Sequence, residues 1–215
     1  MIVIIQCAAS KRSGAGHLVR ADGSPVEFVA HPQVAPNEPG RVWARPDDRV
    51  GGGTWRQQLV AYNANPGRNP LGLYPAYQLY ANDVYERLVD RFGTERVYIL
   101  SAGRGLIRAD FLTPYYDITF SQAAEPYKRR RRTDSYDDFC MLRDETSEEI
   151  IFFGGKDYLP LFDALTRNSS GKRLVFFNSE IPPVISGAIL RRFPTRRRTN
   201  WHYGCAEAFL DGDIS

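Results

Sequence analysis

Four apolar runs punctuate the chain: Met1–Gln6, Arg96–Leu100, Glu149–Phe153 and Arg173–Phe177. None alternates with polar residues. Such a run predicts a strand covered on both faces, as in a parallel sheet. The first two are expected to lie side by side, parallel, at the sheet centre. Between the runs, 3.6-residue spacing predicts helices over Trp55–Asn63, Pro75–Phe92, Tyr158–Arg167 and Ile185–Phe193. In the second of these Leu79, Val84, Leu88 and Val89 form the apolar stripe and Gly93 is the stop. Strand and helix thus alternate, which predicts an α/β fold: a Rossmann-like three-layer sandwich with a mainly parallel central sheet. One domain over 1–215 is expected. Residues 13–73 break the pattern with seven prolines from Pro25 to Pro70 and with Gly51–Gly53. They read as a long irregular insertion carrying a short hairpin around Val26–Val29. Loops of this length in a compact domain are usually functional or mobile.

Composition changes this picture little. The 215 residues are 43% hydrophobic and 25% charged, with a formal net charge of +3, so a packed core is expected and wholesale disorder is not. Charge distribution says more. Lys128 leads into Arg129, Arg130, Arg131 and Arg132, and a second cluster holds Arg191, Arg192, Arg196, Arg197 and Arg198. The first run together with Arg196–Arg198 suggests a nucleic-acid contact. A solvated face, or high genomic arginine usage, explains the clusters equally well. Three widely spaced cysteines make neither a disulfide framework nor a zinc pattern. No stretch approaches the ~20 apolar residues of a membrane span. No basic segment precedes Ile2–Ile5, so a signal peptide is not expected. The expectation is a soluble cytoplasmic protein without membrane, metal or cofactor.

Candidate chemistry gathers where the first two strands end. Cys7-Ala-Ala-Ser-Lys11 offers the Ser10 hydroxyl and the Lys11 ammonium to an anion. Lys11 is also a potential nucleophile if desolvation lowers its pKa. Spacing alone favours a plainer reading, with Cys7 in the core and Lys11 on the surface. Leu100-Ser-Ala-Gly-Arg-Gly-Leu106 ends the second strand. Gly103 and Gly105 allow close backbone approach to a ligand, and Ser101 and Arg104 can contact it. This is not a P-loop, and an ordinary strand-to-helix turn is the commoner outcome. Tyr74, Tyr77, Tyr80, Tyr115 and Tyr116 can stack on a base and hydrogen-bond it, although Tyr77 and Tyr80, one helical turn apart, also suit a core. Asp117 is the best-placed carboxylate for general acid–base work. In Thr199-Asn-Trp-His-Tyr-Gly204 the lone His202 reads as a structural hydrogen-bonder, with a nucleic-acid contact left open.

The order of these motifs resembles a known group. Cys7, Ser10 and Lys11 make a C-x-x-S-K after the first strand. Leu79-Tyr80 to Tyr85 lies on the next helix. Leu100–Leu106 follows a strand, and Tyr115–Asp117 comes shortly after. This resembles the bacterial and phage domain family related to YaaA peroxide-stress proteins and, more distantly, the lysine-bearing core domain of archaeosine synthase. The likeness covers residues 1–12 and 74–120, with a weaker stretch around Phe153–Leu165. It implies a link to DNA damage or nucleobase modification, without fixing a reaction.

The leading expectation is a DNA glycosylase-like enzyme acting on the N-glycosidic bond of a base. The arginine clusters hold phosphates and Tyr80, Tyr115 and Tyr116 stack on an extruded base. Asp117 orients water or stabilises the cationic sugar. Lys11 and Ser10 hold a phosphate or, as the lesser alternative, Lys11 attacks the sugar. Cys7, Ser101, Gly103, Arg104 and Gly105 complete the substrate site. The rival readings are a non-catalytic DNA-binding stress-response protein and a small-molecule nucleotide or nucleoside hydrolase.

Overall fold

The computed structural model describes residues 1–143, 146–196 and 199–214. In chain order, β1 is Ile2–Gln6, β2 Val26–Val29, β3 Val42–Ala44, β4 Arg49–Val50 and β5 Gly53–Thr54. Helix α1, Trp55–Ala64, is followed by β6 Tyr74–Pro75, α2 Ala76–Leu79 and α3 Val84–Phe92. Next come β7 Val97–Ser101, β8 Gly105–Arg108, β9 Leu112–Thr113, β10 Tyr116–Asp117 and β11 Phe139–Cys140. The chain closes with β12 Ile150–Phe153, α4 Leu159–Thr166, β13 Arg173–Phe177, β14 Ala188–Arg192 and α5 Trp201–Asp211.

Seven strands form the main sheet in the order β11-β8-β7-β1-β12-β13-β14. β1 lies between β7 and β12, parallel to both, with Val3 opposite Val97 and Ile5 opposite Phe153. The uniformly apolar strands are therefore the central ones, and every residue of β7, β12 and β13 is buried. Only the β7–β8 pairing is antiparallel within this sheet. Successive strand residues point to opposite faces. Phe152 stacks on Phe162 of α4, with centroids 4.5 Å apart, whereas Phe153 packs against Phe209 of α5 at 5.4 Å. The two helices thus approach β12 from opposite sides.

Two sequence expectations are corrected and a third is displaced. Ile185–Phe193 is not a helix; it holds β14, the edge strand beside β13, with Arg173 opposite Ala188. Its exposed Arg191 and Arg192 are the charged residues that keep an edge from pairing with another chain. Pro75–Phe92 is two helices rather than one. Tyr80 is extended, and Asn82 Oδ1 accepts from the Val84 amide at 2.9 Å to start α3 afresh, a local contact that competes with helix continuation. The expected hairpin lies just before β2, where Val19 bridges Pro25 antiparallel and the Val26 amide donates to the Leu18 carbonyl at 2.8 Å, while β2 itself pairs in parallel with both β3 and β10.

That small sheet, β10-β2-β3, gives the insertion its purpose. It holds Tyr116 opposite Phe28 and Asp117 opposite Val29, above the end of the main sheet. Within the insertion α1 begins with a capping box, Thr54 and Gln57 each satisfying the other's backbone N–H. Among the described residues no helix is long and apolar enough to cross a membrane.

Candidate functional site

β1 and β7 run parallel, so both end on the same edge of the sheet, where open α/β sheets place ligands. After β1, residues 8–12 cross beside Tyr80. Lys11 bridges Tyr80, and the Arg12 amide donates to the Leu79 carbonyl at 2.8 Å. After β7, the chain turns directly into β8, with Ser101 opposite Gly105, so the turn joins two strands rather than a strand and a helix. The Ser101 hydroxyl oxygen accepts from the Gly103 and Arg104 amides at 3.2 and 3.1 Å, which fixes the turn. Gly105 has φ +89°, and a Cβ there would sit 2.4 Å from the Phe139 carbonyl oxygen. Only glycine fits.

Tyr116 is the centre of what the two turns bring together. Ser101 Oγ donates to its hydroxyl at 2.9 Å, and the Tyr80 hydroxyl lies 2.7 Å from it. Lys11 Nζ stands 4.5 Å from the ring centroid of Tyr116 and 5.7 Å from that of Tyr115. Burial pushes the Tyr80 and Tyr116 phenols up. They remain protonated at neutral pH and act as a hydrogen-bond chain, not as bases. Lys11 goes the other way. Desolvation lowers its pKa, opposed by the nearby Cys7 and Asp117. An amine held in this way is more readily deprotonated than a surface lysine. Asp117 accepts from Lys128 Nζ at 2.9 Å and keeps partial exposure. Lys128 is raised, first by its hydrogen bond to Glu125 and also by Asp117, so it stays a fixed cation.

Arg104 occupies a place the sequence did not suggest. It is fully buried, and its guanidinium lies 4.4 Å from the Phe28 ring centroid and 5.8 Å from that of Tyr116. None of its three side-chain nitrogens has a hydrogen-bond partner. Burial, then the Arg56 charge, lowers its pKa to about 9; it is still a cation at neutral pH. Two other buried arginines clamp the same turn from outside. Arg56 donates to the carbonyls of Gly103 and Arg104 and pairs with Asp47. Arg130 donates to the Ala102 carbonyl at 2.9 Å and pairs with Asp138. Arg56 and Asp47 lie in the insertion, far from the turn in sequence, and no sequence pattern links them to it.

Of the other expected site residues, Cys7 is buried with its thiol 3.2 Å from the Tyr158 hydroxyl, while Ser10 is exposed. Arg130 turns inward, Arg129 is half-buried, and Arg131 and Arg132 face solvent. Arg196 is exposed; Arg197 and Arg198 lie outside the described residues. No group of three or more His, Cys, Asp or Glu suited to a metal occurs among the described residues.

Three cavities open along this edge and share Asp157. One, of about 280 Å³, reaches Gln6, Cys7, Tyr158 and His202. A second, of about 220 Å³, is lined by Phe120 and Arg129–Arg132. The third, of about 530 Å³, lies beyond the ends of β12 and β13. Tyr158 and His202 are members of this edge that sequence reasoning did not place there. The aromatic neighbours of His202 were the only hint.

His202 is 2% exposed, and burial lowers its pKa to about 4. The unfolded chain, with an ordinary imidazole near 6.5, therefore binds the proton first. Stability from this group is complete above about pH 6.5 and is lost as pH falls towards about 4, by about 3 kcal/mol in all. Urea unfolding at pH 7.5 and pH 4.5 is expected to show a smaller acid loss for His202→Phe than for wild type. Equal losses in the two proteins would mean that His202 is not buried neutral.

Compared with protein-family models, with curated proteins and with solved structures, the chain matches none of them.

Proposed function

We propose that this protein breaks the N-glycosidic bond of a base in nucleic acid, at the edge where β1 and β7 end. The observation that carries the reading is the Lys11 amine. It is half-buried, donates to the Ala9 carbonyl at 3.2 Å, lies over the face of Tyr116 and stands near the Asp117 carboxylate, and burial lowers its pKa. This favours Lys11 as an attacking amine over Lys11 as a phosphate holder. In the proposed step the Nζ lone pair bonds to the sugar C1′. The C1′–N bond breaks, and the base departs with its electron pair and takes up a proton. The sugar ring then opens to an iminium that water hydrolyses, returning the amine. Asp117 stabilises the positive charge that develops on the sugar. The chain of Ser101, Tyr116 and Tyr80 holds the lysine's platform in place.

Arg129, Arg131 and Arg132 border the neighbouring cavity, which suits phosphates of a bound strand. Replacing these three with alanine is expected to weaken binding and lower the log–log salt slope by about 0.9 for each duplex phosphate that is no longer neutralised. Filter binding at several salt concentrations measures it, and an unchanged slope would make the run a solvated face only.

We read the architecture as a Rossmann-like three-layer sandwich, the setting as cytoplasmic, and the chain as a relative of the YaaA-related domains and, more distantly, of the archaeosine synthase core domain. Incubation with single- and double-stranded DNA and RNA, normal and modified, followed by mass spectrometry, tests the activity. Free base in equal amount to new abasic sites supports the proposal. Intact substrate throughout, alongside salt-dependent binding, would make the protein a non-catalytic binder.

A further inference from the structure

Two of the three edge cavities adjoin and differ in character. The smaller, about 280 Å³, is walled mainly by neutral groups, among them the thiol of Cys7, the hydroxyls of Thr119, Ser121 and Tyr158, and the ring of His202. His202 is almost wholly buried, yet its Nε2 has no hydrogen-bond partner. A buried polar atom left unpaired is costly; the His202 ring lines this cavity with Nε2 itself buried, so a ligand supplies the missing partner once the ring shifts towards it. The larger, about 530 Å³, lies against the Gly154-Gly155-Lys156 loop that leads from β12 to α4 and is bordered by Lys156, Arg192 and Arg196. Those three cations are exposed and face a cavity of small-ligand size. The carboxylates of Asp157 and Glu180 line it too; they offset part of the positive charge and can accept hydrogen bonds from sugar hydroxyls. Gly155, Asp157 and Trp201 belong to both cavities, so one ligand can extend from one into the other.

We propose that the two cavities together hold one nucleoside monophosphate unit. The heterocycle occupies the neutral cavity against His202, and the phosphate lies among Lys156, Arg192 and Arg196. A mainly neutral hydrogen-bonding cavity, with Asp157 at its border with the other, suits an uncharged planar ring, and a point-charge cluster beside a glycine turn suits a phosphate. The proposal rests on the base-processing reading of this edge but does not need its chemistry.

Calorimetric titration at low salt provides the test. The probes are ribo- and deoxyribonucleoside 5′-monophosphates and their parent nucleosides. In the wild type the phosphate is expected to tighten binding by about 10–100-fold for at least one base. The double variant Lys156→Ala/Arg192→Ala should erase that gap and leave nucleoside affinity unchanged. His202→Phe should weaken nucleoside and nucleotide alike, by about tenfold. Should His202→Phe fail to fold, His202→Ala with thermal melting replaces it. Competition by a trinucleotide assigns the unit to a strand, and its failure to compete assigns it to a free nucleotide. The proposal is overturned by a wild type with no phosphate gap, by a gap that survives the double variant, or by full affinity without His202. Nucleotide binding without base release would leave this inference standing and remove the glycosidic one. Base release indifferent to all these variants would do the reverse.

Discussion

Arg104→Met is expected to make the protein more stable, although it deletes a fully buried side chain. The guanidinium is shut away from water and finds no hydrogen-bond partner. Desolvating such a charge costs several kcal/mol. Its compensation is the faces of Phe28 and Tyr116 at 4.4 and 5.8 Å, and a desolvated cation–π contact is worth about 2 kcal/mol. The penalty therefore exceeds the compensation. Methionine fills much of the same space with a flexible apolar chain. The expected gain is about 1–4 kcal/mol, read in urea as a higher midpoint with an unchanged slope. A loss of stability would show that the aromatic faces outweigh desolvation. Natural proteins keep unfavourable groups of this kind where function needs them, and Arg104 adjoins the Tyr116–Tyr80 chain on which the proposed chemistry depends.

Asp117→Asn should slow turnover without abolishing it. Base release is expected to fall by about 10²–10³, the usual loss when charge stabilisation is removed from a transition state. Nucleic-acid binding should barely change, because the amide keeps the shape and an oxygen to accept from Lys128. Single-turnover base release together with equilibrium binding separates the two effects. Lys128→Met is the control for the disrupted ion pair at 2.9 Å. Undiminished release in Asp117→Asn would rule out its part in the chemistry.

The centre of the fold was legible because burial on both faces leaves a plain signature. β1, β7, β12 and β13 fall within a residue of the apolar runs that predicted them, and the parallel pairing of β1 with β7 was expected. The edge was not legible. Ile185, Ile189, Leu190 and Phe193 are spaced like one helix face, while an edge strand such as β14 lacks a two-sided apolar run. α5 was not legible because its start carries no side-chain cap: Asn200 is left-handed and makes no capping hydrogen bond. At the candidate site the sequence indicated the two turns but not their shared partner. Tyr116 reaches them through β2, a long-range parallel pairing that no local pattern encodes. The same holds for Arg56 and Asp47, and for Arg130, which reads as one of four equal surface arginines until Asp138 draws it inward.

The most direct test of the central claim is borohydride trapping during the reaction, with peptide mass mapping of the protein. The account predicts release of free base together with a covalent sugar adduct confined to the peptide that carries Lys11, and neither in Lys11→Ala. Base release at the wild-type rate from Lys11→Ala, or an adduct mapped to another lysine, would contradict it.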